Sequence, residues 1–275
     1  MTFMPLDRYA AQIIAQTGKL TDQIRGADLA VPVPTCPGWS LGDLLRHVGG
    51  AHRWAEEVVR TRATGPVSDD QVNDVSGDDR ADTAALADWL GEGAALLAGS
   101  LLEAGPGARV WTVAPDGTPV FWARRMMHES ALHRADAAVA VGGTYTLERE
   151  VAVDGLHEWR GFTALPQAYP SPEAVRALLG PGRTIRVEVS DGGPDAGASW
   201  LVDLTGDAPV ARDADGPDRA AEPAAVTVRG SAAALLLLMY ERQDVLDGHG
   251  AVEYTGDREL FAQWRQAVTH WLRKS

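Results

Sequence analysis

The chain has 275 residues, 38 acidic against 25 basic side chains for a net charge of −13, and is 45% apolar and 23% charged. That length holds one large globular core or two ordinary ones, and the acidic balance argues against nucleic acid or an anionic membrane as main partner, since both reward clustered Lys and Arg. The single cysteine, Cys36, excludes an internal disulfide and a Cys-rich metal cluster and fits a reducing cytoplasm, the compartment expected here.

The N-terminus, MTFMPLDRYAAQ, has no basic region followed by an apolar run, and the longest apolar run, Ala232 to Tyr240, is too short to cross a bilayer. The first helix is predicted from about Pro5 to Ile24, with Leu6, Ala10, Ile13, Ile14, Thr17 and Leu20 on one side. VPVPTCPGW follows, where three prolines exclude a helix interior. Ser40 is placed as the N-cap of a second helix, with Asp43 in the capping-box position. Its apolar side is Leu41, Leu44, Leu45, Val48, Ala55 and Val59, and His47 and His52 lie at opposite edges of that face. Residues 65–80 read as a polar, acid-rich loop. A third helix spans about Thr83 to Glu103. A short extended or hairpin segment, ARVWTVAPDGTPVFW, carries a turn signal at Pro115-Asp116-Gly117.

The stretch FWARRMMHESALHRADAAVAV, from Phe121 to Val141, is the one whose polar residues do not suit an ordinary surface. Read as a helix, it places Trp122, Met126, Glu129, His133, Ala137 and Ala140 on one stripe and points Arg124, Arg125 and His128 elsewhere. A carboxylate and an imidazole thus sit one turn apart on an apolar face, where such groups are paired or bound to metal. Two ligands from one helix face, joined by a third from another helix, make a site with open positions. An ion pair with each other or with arginines inside the bundle satisfies the same pattern, and periodicity leaves both readings standing. A zinc-protease HExxH does not fit, because His128 and His133 stand about 140° apart around the helix. Four helices make an up-and-down bundle of residues 1–145.

Beyond Gly142-Gly143 a helix is predicted from about Glu148 to Phe162. Strands follow at Thr184–Ser190, Ala198–Leu204 and Ala224–Arg229, separated by turns such as DGGPDAGA. An apolar helix over Ser231–Tyr240 and an amphipathic one over Glu259–Leu272, with Phe261, Trp264, Val268 and Trp271, complete a small α+β domain of residues 146–275 whose sheet packs helices on one face. Arg242, beside the apolar helix, is a candidate for holding a substrate carboxylate, because a guanidinium binds one bidentately; Arg229 and Arg258 are similar candidates. Cys36, in its Pro-rich loop, reads as inert, and Trp39, Trp54 and Trp122 read as core.

The runs TCPGWSLGDLLRHVGGAHRWAEE and RRMMHESALHRADA, with the tail segments VTVRGSAAALLLLMYERQDV and YTGDRELFAQW, resemble the actinobacterial maleylpyruvate isomerase family of mycothiol-dependent enzymes over nearly the full length. The resemblance implies an α+β protein with an N-terminal DinB-like four-helix metal-binding bundle and a C-terminal sterol-carrier-protein-like domain. It implies a metal triad of His47, Glu129 and His133, since the family's first histidine follows the Ser of PGWS by seven residues. His128 is then a bystander. Zinc or another divalent ion would bind the sulfur of mycothiol as thiolate, which adds to an electrophilic small molecule. Elimination after rotation gives an isomerase, and release of the adduct gives a transferase. Arg134 and Asp136 follow the family's HRxD pattern and read as a salt bridge to neighbouring elements. The C-terminal domain is expected to help close the cleft. The expected state is a monomer or weak homodimer without nucleic-acid or membrane partners. A hydrolase using the same triad to activate water, or a non-catalytic binding protein, are the alternative readings.

Overall fold

The computed structural model describes residues 4–75, 83–114, 116–192, 199–214, 222–242 and 252–269. Residues 76–80 of the acid-rich loop, Pro115, most of DGGPDAGA and residues 270–272 of the expected last helix lie outside them. The chain divides into two compact units, from Thr2 to Tyr145 and from Thr146 onward.

In the first unit α1 (Leu6–Gln23) buries Leu6, Tyr9, Ala10, Ile13 and Leu20 along one side. α2 (Leu41–Arg60) starts at the expected capping box: Ser40 Oγ accepts from Asp43 N at 3.2 Å, and Asp43 Oδ2 accepts from Ser40 N at 2.8 Å. These bonds satisfy two of the amides that a helix start leaves open. A single turn, α3 (Asp70–Asn73), packs on α2. α4 (Thr83–Ala104) and α5 (Pro119–Val141) follow, the latter with proline in its first turn and the left-handed Gly142 (φ 64°) at its end.

α5 is buried on almost every side, Ala123, Met127, Ala131 and Ala135 as fully as Trp122 and Met126. The expected single stripe is therefore too narrow. α1 and α2 flank the helix, the Cys36 loop reaches Asp136, and Tyr145 donates to the carbonyl of Ala131 at 3.0 Å.

Side-chain contacts give the helix directions. Gln16 meets Arg134 and Gln23 meets Thr144, so α1 and α5 run parallel. His52 meets Ser130 while His47 meets His133, so α2 opposes α5. Arg53 meets Trp89 and Glu56 meets Ser100, so α2 and α4 run parallel. The order is up-down-down-up, and this corrects the up-and-down expectation. The reason is the long connection 61–82, which has ample reach to return along α2, itself about 30 Å long, before α4 begins.

Among the described residues α4 is the one helix long and apolar enough, by length and composition alone, to cross a bilayer. It places Leu90, Ala94, Leu97 and Leu101 in the bundle, against α1 and α2. Between α4 and α5 the expected hairpin does not form a ladder among the described residues. Val110 N donates to Gly117 O, but Trp111 N donates to Ala63 O and its ring joins Trp54 and Trp122.

The second unit opens with α6 (Arg149–Thr163) and α7 (Pro172–Leu178). Its five-stranded sheet has the order β3-β2-β1-β4-β5: β1 Thr184–Val189, β2 Trp200–Asp203, β3 Val210–Asp213, β4 Val226–Gly230 and β5 Glu253–Gly256. β1 pairs with β4 in parallel and all other pairs are antiparallel. Ile185, Val187, Trp200, Val202, Val226 and Val228 are buried on one face, while Glu188 and Arg229 pair on the other, the period of two expected of a half-covered sheet. α8 (Ala232–Met239), capped by Ser231, is buried at every position and packs on α6 and β4. α9 (Arg258–Val268) lies against α7 and β4.

Candidate metal centre

The capping box sets where α2 begins, and two turns later His47 faces α5. Its Nδ1 lies 3.1 Å from the carbonyl oxygen of Val72 in α3. A carbonyl only accepts, so the proton sits on Nδ1 and Nε2 presents a lone pair. On α5, Arg125, Glu129 and His133 succeed one another at single-turn spacing. Arg125 donates to Glu129 Oε1 through Nε (3.0 Å) and Nη2 (2.6 Å), and Glu129 Oε2 lies 3.2 Å from His133 Nε2. His133 Nδ1 is 2.9 Å from Asp136 Oδ2, a carboxylate with no exposure, which also accepts from the Cys36 thiol at 3.6 Å. The ring of Trp39 stands 4.9 Å from that of His47 and 6.4 Å from that of His133.

Burial lowers the pKa of His47, and the neighbouring His133 lowers it further, which favours the neutral ring that a ligand needs. For Glu129 burial acts upward but is outweighed by Arg125, then by His133 and His47, which hold the carboxyl well below its usual range. For His133 burial acts downward, and hydrogen bonds with Asp136, Cys36 and Glu129 overcome it and raise the pKa well above 6.5. A cation held at Nε2 in place of the proton would meet the same carboxylate.

The donor atoms of His47, Glu129 and His133 lie within 4.8 Å of one another. A four-coordinate zinc with bonds of about 2.0–2.1 Å needs donors roughly 3.4 Å apart, a closure within side-chain rotation. Both imidazoles carry the Nδ1 acceptor that metal-ligating histidines show, with Nε2 left for the ion. The residues fit a divalent ion. Cys36, His133 and Asp136 also come within 4.8 Å, on the Nδ1 side of His133, where the Asp136 contact is a hydrogen bond that orients the ring.

A family model described as the mycothiol maleylpyruvate isomerase N-terminal domain matches residues 10–138, and one described as the MDMPI C-terminal domain, of the same isomerase, matches residues 150–263. The chain belongs to the mycothiol-dependent maleylpyruvate isomerase family. Two solved structures are similar to it along most of its length. A crystal structure of the mycothiol-dependent maleylpyruvate isomerase is 14% identical and superposes with a TM-score of 0.56. A variant of it with one histidine replaced by alanine is 16% identical, with a TM-score of 0.58. Both alignments cover 93% of this chain and 96% of the other, and at these identities the likeness is one of fold. A search of curated proteins finds no significant match.

Of the residues singled out from the sequence of this family member, His47, Glu129 and His133 come together, and His52 does not. His52 is fully buried with Nε2 2.8 Å from the Ser130 hydroxyl. His128 is buried outside the converging donors. Arg125, expected to point away, reaches Glu129; the i to i+4 geometry that signals this was present in the sequence. Asp136, expected to bridge to neighbouring elements, meets His133 on its own helix and accepts from Cys36 of a neighbouring loop. Arg134 ties α5 to α1 through Gln16 and lies 4.3 Å over the Tyr145 ring. Cys36, expected to be inert, is part of the network behind His133. Trp39 lines the centre, while Trp54 and Trp122 pack on each other at 4.9 Å. In the second unit Arg242 donates to the carbonyl of Tyr240 at 2.6 Å, Arg229 pairs with Glu188 and Glu253, and Arg258 stacks on Tyr254.

Proposed function

We propose that this protein binds a divalent ion, zinc foremost, through His47, Glu129 and His133, and uses it with mycothiol in an isomerase or S-transferase reaction on a small electrophile. The observation that carries the reading is the convergence of His47, Glu129 and His133, with each imidazole's Nδ1 beside an acceptor and His133 Nε2 3.2 Å from Glu129 Oε2. Family membership supports mycothiol as the thiol. The bound ion supplies the Lewis acidity that keeps a coordinated thiol ionised at neutral pH, where a free thiol with a pKa near ~8.5 is mostly protonated. Val72 and Asp136 orient the imidazoles, and the Trp39 ring gives the entering ligand an apolar wall. The thiolate adds to a conjugated double bond of the electrophile. Rotation and expulsion of the thiolate from the resulting enolate then give the isomer, whereas uptake of a solvent proton by that enolate, with the new C–S bond retained, gives the transfer product. Arg242 is proposed, from the bidentate chemistry of a guanidinium, to hold a substrate carboxylate, so Arg242→Lys should raise KM and leave metal content unchanged.

The test compares purified protein with the His133→Ala variant. Metal retained by the former and lost by the folded variant, with turnover only when mycothiol is added, supports the reading. Equal metal in both refutes the triad, and turnover without thiol refutes the thiol mechanism in favour of hydrolysis.

A further inference from the structure

Arg125 is 9% exposed and spends two N–H donors on a single oxygen, Glu129 Oε1, at 3.0 and 2.6 Å. Burying a guanidinium is costly unless it is paired, and a surface-seeking arginine on a bundle helix would pair at lower cost outside. Its position has two consequences. The forked contact occupies Oε1, so Oε2, on the His133 side, is the oxygen left to a ligand role. It also changes the local charge. The carboxylates of Glu129 and Asp136 lie on either side of His133 and together would offset a divalent ion in full. Arg125 restores one positive charge, held at Glu129 Oε1.

We infer that Arg125 is a positioning residue that restricts Glu129 to one coordinating oxygen and makes the open position of the centre selective for an anionic ligand, a thiolate, over a neutral one. The inference rests on the metal reading above and adds to it the reason why sulfur rather than water or an amine is favoured there. A merely structural Arg125 would support α5 without distinguishing between ligands of different charge.

The experiment uses cobalt(II) in the full-length protein, with visible absorption as the readout, and titrates 2-mercaptoethanol and, separately, imidazole at one fixed near-neutral pH. In Arg125→Gln, thiol affinity should fall about tenfold, the effect of one charge at ~10 Å or more under an effective dielectric of ~20, while imidazole affinity stays within about twofold. The ligand-field bands should also change shape as Glu129 gains the use of both oxygens. Arg125→Lys keeps the charge without the fork, so it should regain most of the thiol affinity while the altered bands persist. This second variant decides the matter if the first does not fold. Loss of both ligands in equal measure, or of neither, overturns the inference while cobalt uptake preserves the metal reading. Wild-type protein that takes up no cobalt overturns both.

Discussion

Acidification should destabilise the bundle through His52, by an amount that follows from its surroundings. Ser130 Oγ donates to the carbonyl of Met126 at 2.8 Å, so it accepts from His52 Nε2, and His52 Nδ1 is buried with no hydrogen-bond partner. Protonating Nδ1 would bury a charge with nothing to receive it. Burial first, and Arg53 second, accordingly push the pKa from 6.5 down to about 4, against a smaller upward effect of Glu129. The unfolded chain then binds the proton more tightly than the folded one, so the neutral ring's contribution is complete above pH 6.5 and is lost as pH falls toward 4. The loss amounts to about 2 kcal/mol by about pH 5 and roughly 3 kcal/mol when complete. His133 has the opposite sign: its raised pKa contributes stability below pH 6.5 that is lost as pH rises through the folded value. Urea unfolding of the wild type and of His52→Gln, which keeps a donor to Ser130 but does not titrate, cancels that contribution. Between pH 7 and about 5 the wild type should lose about 2 kcal/mol more than the variant. Parallel losses would refute the assignment of the buried neutral imidazole.

Asp136→Asn should weaken metal affinity about tenfold to a hundredfold, by removing the charged acceptor of His133 Nδ1; competition with a chromophoric chelator reads this, with circular dichroism confirming the fold. Ser40→Ala removes half of the capping box and should cost about 1 kcal/mol, seen as a lower midpoint in urea. Gly256→Ala places a methyl 2.1 Å from the carbonyl oxygen of Ala225 at a φ of 93°, so it should cost at least ~2 kcal/mol, read as a lower thermal midpoint. Gly49→Ala meets the Trp89 ring at 1.9 Å and should cost ~1–3 kcal/mol unless that half-exposed indole swings aside; the same melt measures it.

The long helices were legible because each has a strong local signal. Proline and Ser-x-x-Asp mark the start of α2, and an αL glycine marks the end of α5. The inner strands were legible because β1 and β4 alternate apolar with polar residues and β2 opens on the apolar run Trp200-Leu201-Val202. β3 and β5 escaped notice because they are short edges: VARD and EYTG carry exposed charged residues that guard an open ladder and erase the period. Helix direction was not legible, since connection length permits either sense and only contacts such as Arg53 with Trp89 settle it. At the centre, the i, i+4 pair of Glu129 and His133 could be read from one helix. His47 and His52 could not be ranked by periodicity alone, because what separates them is a carbonyl from α3 and a hydroxyl from α5, both distant in sequence. A narrow apolar stripe misplaces Arg125, because a helix enclosed on nearly every side can direct long polar side chains along its own axis.

The parallel pairing of β1 with β4 gives the second unit an order of assembly. β1 emerges during synthesis about forty residues before the strand that completes it, and with β2 and β3 can only form a meander whose inner edge is open. Until Val226–Gly230 has been made, that edge can pair with any passing strand. Nascent or truncated chains ending before β4 are therefore the forms most prone to aggregate, and a C-terminal deletion would harm yield before it could reveal anything about activity.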